Sequence, residues 1–171
     1  LSRSFKRKLK KGFVPYWNRP IDFWLWLNYY DQMLDTFATT YDSFGNVSVM
    51  LLYKFHYLLR HLPGDLQIYE SNLYIILLEL YRSQVITRKT IMEVQDINVS
   101  TLARVKIARA IEKHFNIFIY NKDLELISKN KKAFESFILA VSGKAMVKGQ
   151  IKKVPELGVQ EKSHFIVPKF S

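Results

Sequence analysis

Four histidines, His56, His61, His114 and His164, are the side chains best suited to ligating a metal or passing a proton in this 171-residue chain. Their spacing argues against both roles. His56 and His61 stand five residues apart and do not share a helical face, and no acid falls where an H-E-x-x-H zinc pattern needs one. Packed or solvated histidines are the simpler reading. Asp31 and Asp35 are four apart, so they share a helical face, and paired carboxylates can do acid–base or metal work. Nothing else converges on them, and acids at that spacing commonly lie on a surface. The chain contains neither a phosphate-cradling G-x-x-x-x-G-K-[ST] loop nor a G-x-S-x-G nucleophile elbow. It has no cysteine, which excludes disulfides, thiolate metal sites and cysteine nucleophiles. The expectation is a protein that is not an enzyme, holds no metal or other cofactor and takes no small-molecule substrate.

The remaining chemistry is that of the bases. "AVSGKAMVKGQIKKV" (140–154) begins like a strand, turns at Ser142-Gly143 and returns with Lys144, Lys148, Lys152 and Lys153 and no acid. Side chains alternate along a strand, so Lys144, Lys148, Gln150 and Lys152 would form a polar, basic ladder, with Val147, Ile151 and Lys153 on the other side. Such a ladder suits a polyanion; lysines on an edge strand also serve to block aggregation. A second basic element lies at the other end. Arg3, Lys6, Arg7, Lys8, Lys10 and Lys11 form an acid-free arm, and Arg19 follows beside Tyr16 and Trp17. Those two rings could stack on bases or simply cover a core.

The net charge is +11, and it is unevenly spread. Residues 1–19 carry seven bases and no acid, whereas residues 20–100 carry five bases and nine acids. Residues 101–139 carry eight bases and four acids, and residues 140–171 carry six bases and two acids. Basic flanks around an acidic middle repel themselves, and a polyanion relieves that repulsion while its counterions are released. This points to nucleic acid or an anionic membrane surface.

The elements that must position these residues follow from periodicity. Residues 1–19 read as a basic arm and connector, 20–115 as a helical region and 116–171 as a small β-rich region packed with the helices as one domain. Hydrophobic residues make up 49% of the chain, so most of it should fold. Asn18, Pro20 and Asp22 are good cap, first-turn and dipole residues for a first helix. Phe23, Trp26, Leu27, Tyr30, Leu34, Phe37 and Tyr41 form its stripe, widened by Trp24, Leu25 and Tyr29. "DSFGN" (42–46) breaks the chain before a second helix over 47–62, which "PGD" ends. A third helix covers 71–83, and a shorter element precedes a helix capped by Ser100 and running to Phe115. "NIFIYNKDLELI" (116–127) reads as a hairpin turning at Asn121-Lys122. "KNKKAFESFILAVSGK" gives a short helix or extended run into a strand, and "QIKKV" and "HFIVPKF" read as final strands. The predicted fold class is α+β: a helical N-terminal two-thirds followed by a small antiparallel sheet. No apolar stretch is long enough to span a membrane.

Helices over 71–115 followed by a hairpin would suit a winged-helix DNA-binding protein using residues 71–127, with Lys106, Arg109 and Lys113 as the basic face of its recognition helix. A non-catalytic accessory subunit of a membrane complex or virion, its arm on lipid headgroups or packaged nucleic acid, is a third reading. Val141-Ser142-Gly143-Lys144, Gly149-Gln150 and Lys152-Lys153 resemble the C-terminal domain of the small-subunit ribosomal protein three family, over residues 140–171. The resemblance implies rRNA contacts by Lys144, Lys148, Lys152 and Lys153, with neighbouring ribosomal proteins as further partners. The G-x-x-G loop of that family's RNA-binding KH domain has no counterpart here. The arm is Arg- and Ser-bearing like an organelle transit sequence, and the chain starts with Leu. The expectation is therefore a structural protein of a large ribonucleoprotein, a mitochondrial ribosomal protein in the organelle's matrix, contacting rRNA through Arg3, Lys6, Arg7, Lys8, Lys10, Lys11, Arg19, Lys144, Lys148, Lys152 and Lys153.

Overall fold

The computed structural model describes residues 20–37, 54, 57–154 and 165–170, without the side chains of Pro20, Asp22, Phe23 and Trp26. Among these residues it is helical and contains no β-strand. The helices are α1 (Pro20–Phe37), α2 (Leu73–Arg82), α3 (Arg88–Glu93), α4 (Ser100–Phe115), α5 (Asn121–Lys129) and α6 (Lys131–Val147). The predicted small antiparallel sheet is absent, so the α+β expectation is corrected to an all-helical one for the described residues.

The chain divides into two compact units. One comprises residues 1–31, 39–70 and 154–165. Within it Leu25, Tyr29 and Tyr30 of α1 are buried, and the Trp24 and Tyr29 rings lie 5.9 Å apart. Of the predicted apolar surface of α1, Leu25, Tyr29, Tyr30 and Phe37 are buried, whereas Leu27 faces solvent. The Asn28 amide donates to the Trp24 carbonyl at 2.7 Å. A helical turn at 57–59 ends before Pro63, consistent with a helix stopped by "PGD"; residues 47–53, 55 and 56 of that predicted helix lie outside the described residues.

The second unit comprises residues 32–38, 71–153 and 166–171. Its central element is α2. Ile75, Ile76, Leu77, Leu78, Glu79 and Leu80 are buried in succession, so this helix is enclosed on all sides, as a helix with little polar face must be. Here α3 packs on α4, α4 on α5, α5 on α6, and α6 on α2. Ile91, Ala103, Ile107, Ala108, Ile111, Phe134, Ile138, Val141 and Ala145 complete the core. The C-terminal residues Ile166, Val167 and Phe170 are buried in the same unit. Ser71 Oγ donates to the Ile166 carbonyl at 3.0 Å, Ser83 Oγ donates to the Phe170 carbonyl, and the Phe170 ring meets Phe115 edge-on at 5.3 Å.

Short polar side chains start these helices. The Asn72 side chain accepts from the amides of Tyr74 and Ile75, Thr87 from Thr90, and Asn130 from Lys132 and Ala133. Ser100 does not cap α4: it is the first helical residue, and its buried hydroxyl sits 3.4 Å from the Arg104 guanidinium. Left-handed residues close three helices, Gln84 (φ 59°) after α2, Asn116 (φ 48°) after α4 and Gly149 (φ 69°) after α6. After each, the next amide reaches back to the last full turn: Val85 to Leu80, Ile117 to Glu112, and Gln150 to Ala145.

Two local expectations fail in this unit. Residues 121–129 form α5 and not the returning arm of a hairpin, with Asp123 in the first turn where it favours the helix dipole. Residues 117–120 are in no helix, and of them Tyr120 is extended. Residues 140–147 belong to α6, so Ser142-Gly143 is no turn; Phe134, Ile138, Val141, Ser142 and Ala145 line one helical face against the core. The segments 150–152 and 167–169 do lie antiparallel, joined by Lys152 N to Val167 O and Lys169 N to Gln150 O, both at 2.9 Å. They make a single bridge, Ile151 to Pro168, and no sheet. Gly149 turns the chain away at one end, and Pro168 offers no amide to another strand.

Candidate nucleic-acid interface

The predicted basic residues fall into three groups. Arg3, Lys6, Arg7, Lys8, Lys10, Lys11 and Arg19 lie outside the described residues, as do Tyr16 and Trp17. Lys144, Lys148 and Lys153 are placed around the C-terminal end of α6. Lys144 is in its last turn, half-buried, and Lys148 is the C-cap, exposed one turn further on. The backbone beyond runs to exposed Lys153, and the bridge at Ile151 brings exposed Lys169 alongside Gln150. None of these four lysines pairs with a carboxylate of the described residues. Lys169 was not singled out by sequence, and only its backbone bond to residue 150 brings it to this place.

Lys152 is different, and the basic ladder is corrected accordingly. Its ammonium lies 2.7 Å from Glu79, whose side chain is 3% exposed. Arg82, one turn along α2, approaches the other carboxylate oxygen of Glu79 at 2.8 Å and donates to the Gln32 side chain. A carboxylate this deep in an apolar helix would be costly without such partners. Lys152 therefore fastens the segment after α6 to the centre of the core. Residues 152 and 153 of an extended chain point to opposite sides, so this anchor directs Lys153 outward.

Several other bases are compensated, though Lys113 and Lys122 have no carboxylate partner among the described residues. Lys106 pairs with Glu93 at 3.1 Å, Lys129 with Glu125 at 2.6 Å and Lys132 with Glu135 at 2.8 Å. Hydrogen bonding to Lys129 holds the Glu125 carboxyl below its usual range, and Glu135 raises the Lys132 ammonium above its own. Arg109 meets Glu112 at 2.6 Å, and Glu112 also accepts from the Ile119 amide at 2.9 Å. Those bonds, Arg109 first, lower the Glu112 pKa. Of the winged-helix triplet, Lys106 and Arg109 are thus engaged with acids, and the wing itself is replaced by α5. That reading loses the element that would touch phosphates.

Arg104 is a buried base of another kind. At 9% exposure its guanidinium donates to the Ser128 carbonyl at 3.0 Å and lies 6.0 Å from the centre of the Phe134 ring. Ser128 is in the last turn of α5, so the negative end of that helix serves as its counter-charge. Arg104 binds α4, α5 and α6 together and is not a surface cation.

No group of His, Asp and Glu suited to a metal ion occurs among the described residues. His61 lies against Tyr57 and His114 against Phe115, while His56 and His164 are outside the described residues. Asp31 and Asp35 are exposed on α1. No helix among the described residues is long and apolar enough to cross a membrane. The chain matches no family model, and no curated protein and no solved structure is similar to it.

Proposed function

We propose that this chain is a structural, RNA-binding protein of a large ribonucleoprotein, most specifically a mitochondrial ribosomal protein, with rRNA and neighbouring ribosomal proteins as its partners. One observation carries the reading. Lys144, Lys148 and Lys153 follow one another at and beyond the C-terminal end of α6, Lys169 is bonded through its backbone to residue 150, and none has a carboxylate partner among the described residues, while the lysines at the other end of that helix, Lys131 and Lys132, share Glu135. The helix dipole accounts for Lys144 and Lys148, since cations favour a helix C-terminus. It does not account for Lys153 and Lys169, which lie beyond the helix. Exposed charge of this kind is suited to phosphates, and RNA helices are contacted largely through backbone and shape. The acid-free arm at residues 1–11 adds a second phosphate-binding element from the sequence.

The test is to isolate the native protein and identify its companions with and without ribonuclease. The reading expects rRNA and ribosomal proteins, with the association weakened by the nuclease. A compact set of proteins that survives ribonuclease unchanged would overturn it.

A further inference from the structure

We infer that Phe118 and Tyr120 form a stacking platform for unpaired bases of single-stranded RNA. The inference rests on the RNA-binding reading above but on different residues. Phe118 is 75% exposed and Tyr120 67%, with ring centroids 4.9 Å apart and planes at 87°. They sit in the non-helical segment between α4 and α5. Both rings are exposed and in contact while Ile119 between them is buried, so the rings stand outward together.

The platform is built and held. Asn116 in its left-handed conformation ends α4 and redirects the chain. Glu112 accepts from the Ile119 amide at 2.9 Å and from Arg109 at 2.6 Å, and Arg109 also donates to the Asn121 side chain at 3.2 Å. One carboxylate and one guanidinium thus fix the middle and the far end of the segment, and two large rings are displayed on a rigid support. Lys113, in the last turn of α4, and Lys122, in the first turn of α5, flank it. Both are exposed, and neither pairs with a carboxylate of the described residues.

Aromatic faces beside free cations are what single strands need: bases stack without regard to sequence, and phosphates meet the lysines. A protein partner is the less suited occupant, because lysines are depleted from the core of protein interfaces. Asp123 beside Lys122 complements the positive end of α5.

The experiment compares the full chain with the Phe118→Ala/Tyr120→Ala double variant, using labelled oligouridine and a blunt RNA duplex of equal length at matched salt. Both rings are exposed, so the helical circular dichroism should be unchanged. The inference expects oligouridine affinity to fall by about tenfold or more per ring, as stacked bases lose when the aromatic is removed. Duplex affinity and the salt slope should stay as they were, because the duplex has no unpaired base and no charge is removed. Phe118→Trp should retain oligouridine binding. Lys113→Gln/Lys122→Gln should weaken oligouridine binding and flatten its slope. If the double variant binds oligouridine as tightly as the native chain, the platform is wrong while the RNA-binding reading stands. Loss of a ribonuclease-resistant protein companion, with RNA affinity unchanged, overturns it in favour of a protein surface. If the native chain binds neither RNA, both readings fall.

Discussion

Lys152 and Lys153 are adjacent and chemically identical, yet the structure gives them different work. Lys152 is tied to buried Glu79, and Lys153 is exposed. Lys152→Met removes one of the cations that hold a buried carboxylate. Arg82 remains, and Lys152 is itself 31% exposed, so the expected cost is about 1–2 kcal/mol and not the larger penalty of an abandoned buried charge. Its effect on the salt dependence of RNA binding should be nil. Lys153→Met should leave stability within about 0.5 kcal/mol and flatten the slope of log K against log salt by roughly 0.7–0.9, the share of one phosphate contact. Urea denaturation and anisotropy titrations over a range of salt read the two effects separately, and the reverse pattern would sink this division of labour. Glu112 offers a test by pH. Arg109 and the Ile119 amide depress its folded-state pKa below the ordinary 4.5. Such a group contributes stability that is present above its unfolded pKa and is lost as pH falls through the lower folded value. The stability gap between the native chain and Glu112→Gln should therefore be constant above the ordinary carboxylate range and shrink below it. A gap that holds steady into acid would mean that the clamp on residues 117–120 does not depend on the carboxylate's charge.

At the scale of elements, the two glycines near the end of α6 carry opposite predictions. Gly143 is inside the helix, and a Cβ there would meet nothing within 4 Å. Gly143→Ala should raise stability by about 0.5–1 kcal/mol, the usual cost of glycine in a helix. Gly149 also has open space, but its φ is +69°. Gly149→Ala should lower stability by about 1–2 kcal/mol through the left-handed penalty alone. Thermal midpoints of the two variants should move in opposite directions, whereas the strand–turn–strand reading of 140–154 expects Gly143→Ala to destabilise. That reading shows where the sequence was legible and where it was not. The place of α2 and the end of α4 at Phe115 follow from apolar runs and helical spacing. The last third was misread because Val, Ile and Phe cluster there and Asn121-Lys122 and Ser142-Gly143 look like turns. Yet the helical signal was present: Phe134, Ile138, Val141 and Ala145 recur at helical spacing, with Asn130 before them and Gly149 after. The lysines were visible as a charge run, but the pairing of Lys152 with Glu79 joins distant parts of the chain and has no local signature. The alternation of Phe118 and Tyr120 with Ile117 and Ile119 was legible; that the outer pair remains uncovered was not.

For the whole molecule the charge distribution decides what kind of partner can matter. An acidic middle between basic flanks does not attract a polyanion uniformly, so the proposed RNA binding is expected mainly at the flanks. The arm supplies six bases, Arg3, Lys6, Arg7, Lys8, Lys10 and Lys11, in residues 1–11. The other end supplies Lys144, Lys148, Lys153 and Lys169. If both ends grip one RNA, each neutralises its own phosphates, and counterion release makes their contributions to the salt slope additive. Deleting residues 1–11 should then flatten the slope by up to about 4–5, and replacing the four C-terminal lysines with glutamine by up to about 3–4. Combining the two should leave a slope close to that of oligouridine held by Lys113 and Lys122. These are upper limits, because a contact through water or at long range releases less than a full counterion. The decisive measurement is the slope of the arm deletion on a structured RNA. A slope unchanged from the native chain would remove the arm from the interface and confine the binding charge to the end of α6. A flatter slope in the deletion, and again in the lysine variant, would mean that the two ends act on the same polyanion from separate parts of the chain.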